Sequence, residues 1–315
     1  MTPLKTALAV LAALIVAAPT ARAEDSPMPD EIAWKLLELG RVVDLPKTAA
    51  LYAPLQQKEP YPGVKIERDL RYGLADRNLL DVFMPETPSP PRPVLIFVHG
   101  GAFVAGNKHD PDSPFYDNIM LWAVKNGFIG VNVTYRLAPQ AMWPAGAEDL
   151  GAMVQWVSDN IAARGGDPAR LYLMGHSAGA VHVASYVSHP DFQKVKGGGL
   201  AGAILVSGVY DLTVGEAGGP EKAYFGADPV HYAERSSLRG LAKTKIPLMI
   251  TSAELDPPGF VTQFDLVKEA VCDGPHGCPH AFMLPQHSHM SEVYSINTAD
   301  TRLTDQILDF VKKGK

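Results

Sequence analysis

The sequence predicts an α/β protein: a mostly parallel sheet covered by helices on both faces. Three observations lead there. From Val94 onward, short apolar runs alternate with helix-length segments, the rhythm of strands joined by helical crossovers. Those runs are continuous rather than alternating apolar with polar, as expected of strands buried on both faces. The chain has 315 residues, 46% hydrophobic and 20% charged, enough for one large core and too mixed for a multi-span membrane protein.

The same composition excludes other classes. With 28 Lys plus Arg against 34 Asp plus Glu, the formal charge is −6, which argues against a nucleic-acid partner. No repeat, heptad pattern or long charge run appears, which removes a solenoid, a coiled coil and a charged tail. Oligomeric state is left open.

The elements follow in chain order. Residues 1–23 read as an export signal: Lys5 is the basic start, residues 7–18 are an apolar run too short to span a bilayer, and Ala21-Arg22-Ala23 is a small-x-small cleavage site. The mature chain is expected to begin near Glu24, with no stable membrane insertion, in a periplasmic or extracellular space. Residues 24–63 have no place in the sheet and are expected to form a cap, and residues 64–315 the catalytic domain. Residues 65–72 and 79–84 read as an edge hairpin, followed by an extended linker. The inner strands are expected at 94–98, 128–136, 171–174, 203–206 and 247–251, with a last strand at 281–284. Helices fit at 115–126, 147–164, 177–187, 260–271 and 300–312. In the second of these, Val154, Trp156, Val157 and Ile161 make an apolar stripe, and Gly165-Gly166 ends it. Residues 210–245 interrupt the alternation and are expected to be a cap insertion over the strand ends, where open sheets bind ligands.

The only two cysteines, Cys272 and Cys278, flank a turn-rich loop and are expected to pair, which suits an oxidising compartment. So short a loop contributes about 2 kcal/mol at most, a local clip. The spacing with His276 and His280 matches no usual zinc pattern, so no metal is assigned.

Chemistry concentrates in four places. Gly175-His176-Ser177-Ala178-Gly179 follows a strand and opens a helix, so Ser177 is the candidate nucleophile on a strained turn. The string alone is weak evidence; its setting between strand and helix gives it weight. His99-Gly100-Gly101-Ala102-Phe103 directly follows the strand at 94–98. There Gly101 and Ala102 offer N–H groups to an oxyanion, with Gly100 giving backbone freedom and Ala178 a further donor. A serine hydroxyl needs a base, and the base needs a carboxylate to fix its tautomer, in the chain order Ser, acid, His. His289 is preferred to His287 because it lies deeper in the loop before the final helix. Asp256 is preferred to Glu254 and Asp211, although Asp211 also sits just past a strand. His99, His176 and His182 are given structural roles. Trp34, Tyr52, Tyr224 and Phe225 are candidates to line an acyl site.

With these residues in hand, the sequence resembles the α/β-hydrolase superfamily, specifically the carboxylesterases related to hormone-sensitive lipase. The stretches 132–139 and 143–150 are similar to stretches between oxyanion loop and nucleophile in that group. The resemblance implies an eight-stranded sheet, a serine hydrolase mechanism on small-molecule esters, short to medium in acyl chain, and no cofactor. Two positions depart from the group: Ala102 stands where a third glycine is usual, and His176 where an acidic residue is usual. Both variants resemble the arylformamidase-like branch, so a formamide or amide hydrolase using the same three side chains is the alternative. The residues around Pro257-Pro258 also differ from the group's usual acidic motif.

Overall fold

A computed structural model describes residues 28–87 and 90–313. The expected export signal, residues 1–23, lies outside them. Eight strands are present: β1 (Val64–Arg71), β2 (Leu79–Pro85), β3 (Arg92–Val98), β4 (Ile129–Val133), β5 (Gly166–His176), β6 (Gly202–Val206), β7 (Leu248–Ala253) and β8 (His280–Leu284). They form one sheet in the order β1-β2-β4-β3-β5-β6-β7-β8. The expected hairpin β1–β2 is antiparallel, β2 is antiparallel to β4, and every later pairing is parallel.

Strands β4, β6 and β7 are buried from end to end because helices cover both faces, as their unbroken apolar runs require. Two strand boundaries differ from the sequence reading by more than two residues. β5 starts at Gly166 rather than at residue 171, because Gly166 pairs with Arg92; there a Cβ would come within 2.5 Å of Ile161 and 2.9 Å of Val94. Hence Gly165, at φ 80°, ends the preceding helical segment, and its neighbour belongs to the sheet. β4 stops at Val133 because Arg136 turns away to bond Asp149 through both its backbone N–H and its guanidinium.

The helices are α1 (Asp30–Leu39), α2 (Leu45–Tyr52), α3 (Asp117–Lys125), α4 (Ala145–Asn160), α5 (Ala178–Ser188), α6 (Gly219–Phe225), α7 (Tyr232–Arg235), α8 (Leu238–Leu241), α9 (Pro258–Cys272), α10 (Ser291–Tyr294) and α11 (Arg302–Lys313). One sheet face packs Ile96 and Leu173 against Val154 of α4, Val183 of α5 and Phe264 of α9. The other packs Leu95, Phe97 and Met174 against Met120 of α3 and Ile307 of α11. Each such side chain, fully buried, contributes about 1.5–3 kcal/mol.

The two segments without an expected strand take different places. α1 and α2 bury Ile32, Leu36 and Tyr52 in the same layer as α3 and α11. The link between them reaches the end of β7, where Arg41 Nη1 donates to the Asp256 carbonyl at 3.2 Å. Within 210–245, Tyr224 and Phe225 of α6 join Phe103, Ala178 and Val181 in a third apolar cluster, whereas Leu241 of α8 packs into the main core. Cys272, the last residue of α9, and Cys278 are joined as a disulfide. Among the described residues, no helix is long and apolar enough to cross a membrane.

Candidate active site

The carboxyl ends of β3, β5, β6, β7 and β8 meet at one edge, where open α/β sheets bind ligands. β5 delivers Ser177, whose φ of 55° and ψ of −125° put it in a backbone region that non-glycine residues rarely adopt. The flanking glycines make that turn feasible. A Cβ on Gly175 would stand 2.4 Å from the Gly179 carbonyl, and one on Gly179 would stand 2.1 Å from the Val98 carbonyl. Strand β3, the turn and α5 therefore approach more closely than any side chain permits. Ser177 remains half-exposed, while Ala178 begins α5 with its N–H at the helix N-terminus.

The loop after β3 lies directly against this turn. A Cβ on Gly100 would come 3.1 Å from Ser177 Cβ. Gly101 has φ 125°, Ala102 φ 49° and Phe103 φ 66°, three successive residues in the positive-φ region. The loop is tied by Ala105 N–H, which donates to the Gly101 carbonyl at 3.0 Å. His99 braces it as expected: Nδ1 donates to the Gly100 carbonyl at 2.6 Å, and Tyr135 Oη donates to the His99 carbonyl at 2.8 Å. Burial pushes the His99 imidazole down to about 4, so the ring is neutral at ordinary pH.

Asp256 and His289 come together across β7 and β8. His289 Nδ1 donates to Asp256 Oδ1 at 2.7 Å, both residues being buried. Asp256 Oδ2 accepts from Ser207 Oγ at 2.6 Å, Ser252 Oγ at 2.7 Å and the Ala253 N–H at 2.8 Å. Burial by itself would raise the Asp256 carboxyl, but His289 and the serine hydroxyls outweigh it and hold the group below the ordinary carboxylate value. The His289 ring lies between Phe260, at a centroid distance of 4.4 Å, and His176, at 4.7 Å. No hydrogen bond within 3.5 Å joins Ser177 Oγ to His289 Nε2 in this structure. Bonds of this kind commonly tighten only when substrate is bound.

The rivals are engaged elsewhere. His287 is held between Ser291 Oγ at 2.9 Å and Asp300 Oδ2 at 3.1 Å. Asp211 accepts from the N–H and hydroxyl of Thr213, and Glu254 accepts from the Gln286 N–H at 2.7 Å. Of the four aromatics offered for an acyl site, Tyr224 and Phe225 pack with Phe103 beside Ala178. Tyr52 is buried under α1 and α2, and Trp34 is 66% exposed, so neither joins that wall. Trp34 lines a separate cleft of about 450 Å³ with Leu37, Leu255 and Gln286.

Ser207, Phe260 and Glu292 escaped the sequence reading. Each is an isolated residue without a motif, placed by tertiary packing alone. Potential ligand atoms of His176, His289 and Glu292 come within 4.8 Å of one another. His176 and His289 each spend one ring nitrogen on a hydrogen bond, to the His289 carbonyl and to Asp256, while Glu292 Oε1 contacts Ser207 Oγ.

A family model described as BD-FAE matches residues 80–195, from within β2 to beyond α5. Esterase LipQ of Mycobacterium tuberculosis is 34% identical over 207 residues, covering 61% of this chain and 47% of that protein. Carboxylesterase NlhH of the same species is 38% identical over 125 residues, covering 38% of this chain and 37% of that one. The chain thus spans less than half the length of these curated relatives. Esterase B from Lactobacillus rhamnosis superposes with a TM-score of 0.68 at 18% identity, covering 90% of this chain and 94% of that one. The chain therefore has the α/β-hydrolase fold and is similar in part of its sequence to proteins named as esterases.

Proposed function

We propose that this α/β-hydrolase is a carboxylesterase that cleaves small-molecule carboxylic esters of short to medium acyl chain through an acyl-enzyme on Ser177. In this reading His289 Nε2 takes the Ser177 proton as Oγ attacks the ester carbonyl carbon. The carbonyl oxygen gains the displaced electron pair and is held by the N–H groups of Gly101, Ala102 and Ala178, with Gly100 giving the loop its freedom. Asp256 steadies the imidazolium through Nδ1–H. The proton then passes to the departing alcohol, and water repeats the cycle to release the acid. No cofactor enters any step.

The observation that carries the reading is the buried pairing of His289 Nδ1 with Asp256 Oδ1 at 2.7 Å, beside a serine on a strained turn. The esterase relatives favour an ester over a formamide substrate. The closely packed Phe103, Tyr224 and Phe225 next to Ala178 support a bounded acyl site. Residues 24–63 and 210–245 fit the role of cap, since α1–α2 reaches the acid loop through Arg41 and α6 reaches Ala178 through its aromatics. Export with cleavage near Ala23 rests on the N-terminal pattern, and the Cys272–Cys278 pair suits an oxidising compartment.

A fluorophosphonate should label the enzyme once, and peptide mapping should place the adduct on Ser177. A p-nitrophenyl ester series run beside an N-formyl aromatic amine should give kcat/KM highest for short to medium acyl chains. Labelling elsewhere would remove the proposed nucleophile. Comparable turnover of the formamide would replace the ester reading.

A further inference from the structure

Behind the acid lies a second buried carboxyl group. Glu292, on α10, has no solvent exposure, and its Oε1 is in close hydrogen-bonding contact with Ser207 Oγ. Ser207 Oγ is in turn 2.6 Å from Asp256 Oδ2. One serine hydroxyl thus stands between two carboxyl groups, and a hydroxyl has a single hydrogen to give.

That count decides the protonation. Asp256 is the ionised member, because it accepts from His289, Ser252 and the Ala253 N–H as well as from Ser207. Once Ser207 has donated to Asp256, only a hydrogen on Glu292 can complete the other contact. No Lys or Arg pairs with Glu292 among the described residues, and the charge next to it is the like charge of Asp256. Burial and that like charge both push the Glu292 carboxyl far above its ordinary value.

We propose that Glu292 is a neutral carboxylic acid that donates to Ser207, which donates to Asp256, so that Glu292 is a positioning residue for the acid that orients His289. The proposal rests on the reading of Asp256 and His289 as acid and base. The groups facing Glu292 are Ser207 after β6, Asp256 after β7, His176 at the end of β5, His289 on the loop before α10, and Tyr210. A neutral Glu292 leaves Asp256 as the only anion among them.

The test joins spectroscopy to kinetics on the full-length enzyme. Infrared difference spectra of wild type against Glu292→Gln should show one carboxylic-acid C=O band at neutral pH that the variant lacks. Glu292→Gln keeps a donor toward Ser207, so its kcat should stay within about threefold of wild type and the acid limb of its kcat/KM profile should not move. Glu292→Leu removes the donor and should lose about tenfold in kcat at unchanged KM, the scale of one hydrogen bond. Absence of the infrared band, or an acid limb displaced downward in Glu292→Gln, would overturn the proposal by showing an ionised glutamate. Should Glu292→Leu fail to fold, the band and the Glu292→Gln profile still decide. Fluorophosphonate labelling at Ser177 in each variant keeps the two readings apart: loss of labelling in wild type counts against the esterase site, whereas the infrared band reports on Glu292 alone.

Discussion

His176 Nε2 donates to the backbone carbonyl of His289 at 2.8 Å, so the residue before the candidate nucleophile is hooked to the residue that would serve as its base. A carbonyl can only accept, which places a hydrogen on Nε2 and makes the ring the donor. Burial, and then the neighbouring His289, push this imidazole down to about 3, in keeping with that assignment. An acidic side chain here, usual in the resembled esterase group, has no hydrogen to offer when ionised. His176→Leu should therefore lower kcat about tenfold with KM nearly unchanged, because the hook positions the base without meeting substrate. His176→Gln retains a donor and should recover part of the loss. Steady-state kinetics of the two variants side by side check this.

Asp256→Asn tests the tautomer argument. The carboxylate accepts the Nδ1 hydrogen of His289 and leaves Nε2 free to take a proton. An amide can turn its NH2 toward Nδ1, which forces the hydrogen onto Nε2 and presents the wrong face to Ser177. The expected fall in kcat is about 10⁴-fold, the drop seen for this substitution in serine proteases. Fluorophosphonate labelling should slow in parallel. A variant within tenfold of wild type would return the acid role to Asp211 or Glu254.

Ser177 was legible in the sequence because its chemistry and its backbone demands sit in one five-residue string. The glycines of that string and of the loop after β3 are needed by contacts with adjacent strands, so local pattern and tertiary structure coincide. Asp256 and His289 were only ranked, because chain order cannot say which carboxylate or imidazole is otherwise employed. What separates them is which side chain each rival meets in the folded chain: Thr213, two residues on, occupies Asp211, the distant Gln286 occupies Glu254, and Ser291 with Asp300 occupies His287. Ser207 and Glu292 left no trace in the sequence, since their meeting joins the ends of two elements 85 residues apart. The sheet was legible for a related reason. Two-sided burial writes an unbroken apolar run, but it does not mark where pairing starts, and so the N-terminal half of β5 was missed.

Three buried histidines should make the protein acid-labile. Burial is the leading cause in each case, lowering His99 to about 4 and His176 and His182 to about 3. In the unfolded chain a histidine titrates near about 6.5. Between that value and the folded ones the unfolded state binds more protons, so stability is complete above about pH 6.5 and falls as pH drops toward 4. Each histidine contributes a slope of up to about 1.4 kcal/mol per pH unit in that window. Asp256, held below its ordinary value, adds a loss only at still lower pH. His182 is the cleanest probe. It packs against the rings of Phe103, Tyr135 and Tyr224, and His182→Leu removes the titration while keeping an apolar contact there. Urea unfolding at pH 7 and pH 5 should show a smaller difference for the variant than for wild type. An equal difference would mean that His182 titrates alike in both states.

The oxyanion loop predicts opposite outcomes for two neighbouring positions. A Cβ on Gly101 would stand 2.1 Å from the Ala105 carbonyl, and the residue's φ is 125°, so alanine there meets both a clash and a forbidden conformation. Gly101→Ala should displace the loop and, by misplacing an oxyanion donor, cost about 10²–10³ in kcat. Ala102 already adopts φ 49° with a methyl group in place and is exposed, so it stores strain that glycine would release. Release is worth about 1 kcal/mol, but glycine also adds freedom to the unfolded chain and returns most of that gain. Ala102→Gly should therefore hold stability within about 1 kcal/mol and keep kcat near wild type. Thermal melts and esterase kinetics on the pair separate the cases. If Gly101→Ala kept full activity, the N–H groups of this loop would not be holding the developing charge.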